Sequence, residues 1–164
     1  MSGAVVFVTG LPSAGKSTFA SRLCAETGAI LLDGDEVRAV MRPRPGYDDE
    51  ARADFYATLG GLAALLARQG HVVVVAATAH RASHREHARE APRYFEVFVD
   101  VPPDECAARD AKGLYAAVRR GDARGLPGAD TEYEPPRAPH VVARGGHDDD
   151  ARAEVLRLLS ARDG

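Results

Sequence analysis

The nine residues Gly10-Leu11-Pro12-Ser13-Ala14-Gly15-Lys16-Ser17-Thr18 constrain this chain more than any others, because they follow directly on the apolar stretch Ala4 to Val8 and open a segment with helical spacing. Glycines in such a loop let backbone N–H groups close around phosphate oxygens, and the helix start adds its dipole. Within it, Gly10, Ser13, Ala14, Gly15, Lys16, Ser17 and Thr18 are the candidate phosphate-binding residues, with Lys16 reaching the β and γ phosphates and Ser17 offering its hydroxyl to Mg²⁺. Lysine usage points to the same residue. The chain has two lysines, Lys16 and Lys112, against nineteen arginines. A compact ammonium reaches into a phosphate chain as a point charge, where a planar guanidinium is built to fork.

Apolar runs of strand length recur at Ala4 to Val8, Ala29 to Leu32, Val72 to Ala77, Phe95 to Val101 and His140 to Ala143, separated by alanine- and arginine-rich segments with helical spacing. Strands apolar on both faces belong to a parallel sheet covered on both sides. The expected architecture is therefore α/β, a three-layer P-loop nucleotide-binding fold with a parallel five-stranded sheet, formed by one domain over residues 1–164. Between Gly113 and Pro139 the pattern breaks into glycines, prolines and charges with no evident strand. That length is too great for an ordinary connection, and residues 112–139 are expected to be a mobile lid or a disordered stretch. Asp148 to Asp150 precede the last amphipathic segment, where acids favour a helix start.

A net charge of −3 with interspersed signs supplies no basic field for nucleic acid, and the apolar runs are too short to cross a membrane. Neither partner is expected. Cys24 and Cys106 fit no metal or redox spacing, which suggests reduced thiols and a cytoplasmic setting. With no asparagine anywhere, the chain cannot carry the Asn-Lys-x-Asp guanine-reading motif of GTPases. A small-molecule kinase using ATP and Mg²⁺ is the favoured class, and a nucleotide-binding regulator without turnover is the alternative from another class. Asp33 and Asp35 follow the second strand, expected to lie beside the P-loop strand, and alternation would aim both to one side. One can support a magnesium shell and the other orient a substrate hydroxyl, with Arg38 one turn on for an anionic group. An N-cap with a solvated first turn accounts for one of these aspartates.

The segments Phe95-Glu96-Val97-Phe98-Val99-Asp100-Val101-Pro102, Arg109-Asp110-Ala111-Lys112-Gly113-Leu114-Tyr115 and Tyr133-Glu134-Pro135-Pro136, with the P-loop and Leu32-Asp33-Gly34-Asp35-Glu36-Val37-Arg38, resemble the adenylylsulfate kinase family over most of the chain. The resemblance implies transfer of the γ-phosphate of MgATP to the 3′-hydroxyl of adenosine 5′-phosphosulfate, small-molecule nucleotide partners, and often a homodimer. It implies that Lys16, Asp35 and Lys112 are catalytic, that Arg109 contacts ATP, and that Ser17 and Asp33 hold Mg²⁺, Asp33 through water. Asp35, Arg38, Tyr47, Arg52, Lys112, Gly113, Leu114 and Leu126 then bind the acceptor, with Tyr47 stacked on its base.

The acceptor side departs from the family pattern. Leu126 stands where the family's lid carries phenylalanine, and Phe55, Ala57 and Thr58 stand where it carries an asparagine and two arginines. Ala77-Thr78-Ala79-His80-Arg81 replaces a Phe-Ile-Ser-Pro-Tyr run, although Arg85 is kept. These changes leave open a second reading, the same chemistry on another nucleotide, a nucleoside or a small hydroxylated metabolite. His80, His84 and His87 share one face if residues 80–87 are helical. Interleaved arginines favour a solvated or phosphate-facing helix over a metal site there, and His80 at the strand's end can instead touch the acceptor. Tyr115 and Tyr133 either pack the lid or contact substrate.

Overall fold

Both sides of the first strand, β1 (Ala4–Gly10), are buried along its whole length. Val6 and Val8 pack on one side with Phe19 and Leu23 of α1 (Lys16–Thr27) and with Val155 and Leu159 of α6 (Asp149–Ser160). Val5 and Phe7 pack on the other with Phe55, Leu59 and Ala63 of α3 (Asp49–Arg68). Alternation along a strand sends neighbouring side chains to opposite faces, so one valine-rich run serves two cores. Each such side chain, fully buried, contributes about 1.5–3 kcal/mol.

The computed structural model describes residues 2–161. Its sheet holds β1 with β2 (Ile30–Asp33), β3 (Val72–Ala76), β4 (Tyr94–Val99) and β5 (Val141–Ala143), all parallel, in the order β2-β3-β1-β4-β5. This is the three-layer P-loop architecture expected from the sequence. In it the chain leaves β1 at the centre, builds outward to β2 and returns to β3. The expectation that β2 lies beside the P-loop strand is corrected, because β3 sits between them. Both strands read as short apolar runs, so nothing in either run distinguishes centre from edge.

The remaining helices are α2 (Gly34–Val40), α4 (Pro103–Arg109) and α5 (Leu114–Arg119). The long segment after Gly113 is thus not wholly irregular. Asp110 accepts from the N–H groups of Tyr115 and Ala116, satisfying the start of α5. Residues 80–90 do not form the continuous helix on which the three histidines would share a face. They form two 3₁₀ turns, Ala82–Arg85 and His87–Glu90, in which His84 is buried and His87 exposed. At the last helix the side chain of Asp148 accepts from Ala151 N–H and caps α6, as its acids suggested.

Candidate active site

The P-loop turns out of β1 through two residues in the left-handed region, Ser13 at φ 65° and Gly15 at φ 104°. Gly15 has a second constraint. A Cβ there would lie 2.6 Å from the backbone nitrogen of Gly146, which follows β5. Lys16 begins α1 and donates to the carbonyl of Leu11 at 2.7 Å. Loss of hydration lowers its pKa to about 8, against the attraction of Asp35, which raises it.

Asp33 closes this side of the site. Its Oδ2 accepts from the Ser17 hydroxyl at 2.6 Å, and its Oδ1 accepts from Asp35 N–H at 3.0 Å, capping α2. The capping and metal readings of the aspartate pair therefore divide between two oxygens of one carboxylate. Because α2 begins at Gly34, strand alternation does not relate Asp33 to Asp35 as expected. A hydroxyl and a carboxylate oxygen held together after a phosphate loop are hard donors that fit Mg²⁺ with water completing its shell.

Asp35 is exposed and forms an ion pair with Lys112. The pair spans a gap in sequence of 77 residues and brings the second lysine of the chain to the first turn of α2. Local geometry explains how Lys112 gets there. Asp110 takes φ 34° and Gly113 φ 69°, so the chain reverses tightly on either side of Lys112. The carboxyl of Asp110 meets some desolvation, yet the two N–H groups at the start of α5 hold it below the usual aspartate range. Three contacts then fasten this turn to the P-loop. Ala111 N–H donates to Ser13 Oγ at 3.2 Å, Arg109 reaches the Ser13 carbonyl at 3.5 Å, and Tyr115 donates to the Pro12 carbonyl at 2.8 Å. Arg109 also pairs with Glu105 at 2.6 Å. Tyr115 thus packs the segment rather than facing a ligand, and Gly113 and Leu114 sit at its exposed start.

The acceptor residues are arranged differently. Arg38 is buried with its guanidinium between the rings of Tyr47 and Phe55, 4.4 and 4.1 Å from their centroids. It donates to the carbonyls of Pro45 and Gly46. Phe55 therefore supports the arginine from α3. Tyr47 is 66 % exposed, covered by Arg38 on one face. Arg52 donates to the Gly125 carbonyl at 2.6 Å, tying α3 to the long segment, whose turn is held by Asp130 accepting from Gly125 and Leu126 N–H. Leu126 is half-buried and packs against the core on the α1 side.

Further along, Tyr133 shares a hydrogen bond with Thr9 at 2.8 Å and stacks on Phe98. Glu134 N–H donates to the His80 carbonyl at 2.7 Å. Arg85, fully buried, donates to the carbonyls of Ala79 and Glu134 and lies 3.8 Å from the buried Glu96. Sequence reasoning noted Arg85 without its role and passed over Gly145-Gly146, Glu96 and Tyr56, whose hydroxyl accepts from Ala79 N–H at 3.2 Å. The glycine pair was findable, since a glycine turn after a strand lies where open α/β sheets bind ligands. Tyr56 carries no sequence signal because its partner is 23 residues away, and Glu96 none because its burial among Tyr94, Arg89 and Arg85 follows from the fold.

A phosphate loop, a hydroxyl–carboxylate pair beside it and a cationic turn fastened over it define a small P-loop kinase. The family profile of adenylylsulphate kinase matches residues 2–144. An adenylyl-sulfate kinase of Paraburkholderia xenovorans is 42% identical over 147 residues, covering 85% of this chain and 82% of that protein. The Mycobacterium tuberculosis bifunctional enzyme CysN/CysC is 37% identical over 97% of this chain, which spans 28% of that longer protein. The structure of the M. tuberculosis APS kinase CysC in complex with AMPPNP and APS superposes with TM-score 0.86 at 36% identity, covering 97% of this chain and 98% of that one. The chain belongs to the adenylylsulfate kinase family.

Proposed function

We propose that this protein is an ATP-dependent kinase that transfers the γ-phosphate of MgATP to the 3′-hydroxyl of adenosine 5′-phosphosulfate. The observation that carries the reading is the pairing of Lys112 with Asp35 beside the Ser17–Asp33 contact, which brings the lid start, the acceptor helix and the phosphate loop to one point. Gly10, Ser13, Ala14, Gly15, Lys16, Ser17 and Thr18 hold the triphosphate, with Arg109 beside them. Ser17, and Asp33 through water, would hold Mg²⁺, which would neutralise phosphate charge. Asp35 orients the acceptor hydroxyl, whose oxygen bonds to the γ-phosphorus as the bond to the β-phosphate oxygen breaks and ADP leaves, the hydroxyl proton passing out to solvent late in the transfer. Lys16 and Lys112 meet the charge on the transferring group, so catalysis is mostly positioning and electrostatics. Before that, Lys112 exchanges Asp35 for phosphate, which requires the segment 112–139 to act as a lid.

On the acceptor side, Arg38 and Arg52 face the phosphosulfate, with Gly113 and Leu114 at the lid's edge, while Tyr47 and Leu126 flank the base. A single domain in a cytoplasmic setting, forming a homodimer, completes this reading. One observation favours another acceptor. Arg38 is already held by two carbonyls and two rings, which leaves less of its fork for an anion.

Incubation with MgATP and adenosine 5′-phosphosulfate decides between them. Saturable formation of the 3′-phosphorylated product is expected, and Lys16→Ala should lower kcat/KM by about 10³-fold. Absence of product, while ATP still binds, would favour the other acceptor.

A further inference from the structure

Arg38 is a buried cation with half of its fork still open. Nη1 donates to the carbonyls of Pro45 at 3.3 Å and Gly46 at 2.9 Å. The other edge, Nε and Nη2, meets no acceptor among the described residues, yet neither nitrogen is sealed from solvent. An arginine edge of two N–H donors is the geometry that takes an oxyanion by two parallel bonds. Its direction is set by two rings, with the guanidinium carbon 4.1 Å from the centroid of Phe55 and 4.4 Å from that of Tyr47.

The two rings are not equivalent. Tyr47 is 66 % exposed and directly follows Pro45 and Gly46, whose carbonyls Arg38 itself grips, so its place depends on the arginine. Phe55 is 2 % exposed on the 20-residue helix α3 and meets the Tyr56 ring edge-on at 5.2 Å, while Ala79 N–H fixes the Tyr56 hydroxyl. Phe55 is thus anchored without Arg38, and dependence runs from Phe55 to Arg38 and from Arg38 to Tyr47. We infer that Phe55 is a positioning residue for the acceptor, aiming the open edge of Arg38 at the phosphosulfate and holding Tyr47 against the base through that arginine, an inference that rests on the functional reading above. The negative face of the ring attracts the guanidinium and keeps the two planes in contact, which an aliphatic side chain of similar size cannot do. Asparagine, which the family carries at this position, has no ring face to offer.

The test measures kcat and the separate KM values for ATP and adenosine 5′-phosphosulfate in the wild type, Phe55→Leu, Arg38→Gln and the double variant. Phe55→Leu keeps an apolar side chain in the core and removes the ring face. It should raise the acceptor KM about fivefold, with kcat and KM for ATP within about twofold of the wild type. In the Arg38→Gln background the same substitution should change the acceptor KM by less than about twofold, because the cation it aims is gone. A second readout needs neither turnover nor the Arg38 variants. The Nε–H resonance of Arg38 should shift on addition of adenosine 5′-phosphosulfate to the wild type, and should move in free Phe55→Leu as the ring current of Phe55 is lost. An acceptor KM unchanged in Phe55→Leu, or an equal rise in both KM values, overturns the inference and leaves the enzyme's function standing. The same loss with and without Arg38, or an Arg38 resonance unmoved by Phe55→Leu, also overturns it, since Phe55 would then act as packing alone. Failure of the wild type itself to phosphorylate this acceptor removes both.

Discussion

The two halves of the site are built to opposite rules. Around the P-loop, Ser17, Asp35, Arg109 and Lys112 are exposed and held by one or two ion pairs or hydrogen bonds that a ligand can replace. On α2 and in the turns after β3, Arg38, His84 and Arg85 are buried and held by carbonyls and rings. A group that changes partners in every turnover must stay cheap to release, whereas a group that shapes a pocket is most effective when it cannot move. Exposed ion pairs contribute little to stability, about 0–1 kcal/mol, while a buried charge deprived of its partner costs several times that.

Arg85→Ala tests that contrast most severely. The substitution removes the fork from the Ala79 and Glu134 carbonyls and leaves Glu96, 2 % exposed, with only Arg89 and Tyr94. Stability should fall by about 3 kcal/mol in urea unfolding, the low end for a broken buried pair because two partners of Glu96 remain. Arg109→Ala on the phosphate side should change it by less than about 0.5 kcal/mol. Equal effects at the two sites would dissolve the distinction between the halves.

Lys112→Ala comes next. If Lys112 neutralises the transferring phosphoryl as proposed, kcat should fall about 100-fold with little change in unfolding free energy. Loss of stability comparable to that of Arg85→Ala would instead make the Lys112–Asp35 pair a structural clasp.

The contrast also explains what the sequence revealed. The P-loop and the Asp33–Arg38 stretch are each a short run whose residue types show their chemistry, whereas the Arg109–Tyr115 turn was legible through its resemblance to the family, because its partners Ser13 and Asp35 lie far away in sequence. The strands were legible because β1 and β3 are apolar on both faces, which only a covered parallel sheet tolerates. Sheet order was not, since it depends on which runs pair rather than on what each contains. The helix α5 hid among arginines and glycines because six residues give too little periodicity, and Asp110, which accepts from its first N–H groups, is placed by a turn geometry rather than by a pattern. Residues 80–90 carry helical spacing, but burying His84 against Tyr56 and Arg85 against Glu96 breaks that run into two tight turns.

A smaller effect follows from Lys16. In the free protein its pKa is lowered to about 8, so above that pH the side chain loses its proton. Bound triphosphate favours the ammonium and raises the pKa, so binding above pH 8 takes up a proton. Nucleotide affinity should be level below pH 8 and weaken by up to about tenfold per unit as pH rises beyond it. Calorimetry in buffers of different ionisation enthalpy measures both affinity and proton uptake. Lys16→Arg, charged throughout, should bind more weakly but lose the dependence. A level affinity from pH 7 to 9.5 in the wild type would mean that Lys16 remains charged, and that the phosphate half is less desolvated than its geometry implies.

The smallest expected effect separates core from pocket at one residue. Leu126 touches the core on the α1 side, yet follows Gly125, whose carbonyl holds Arg52. If the acceptor base lies between Tyr47 and residue 126, then Leu126→Phe adds an aromatic face worth about 0.5–1.5 kcal/mol beyond area. Against this stands the cost of placing a larger ring where leucine already packs, about 1–3 kcal/mol when no room exists. Half-burial leaves part of the side chain free to turn outward, and the acceptor KM should fall about threefold with KM for ATP unchanged. An acceptor KM that rises, together with lower stability, would assign Leu126 to the core and leave Tyr47 as the single stacking surface, so that the base is held by its edge rather than by its faces.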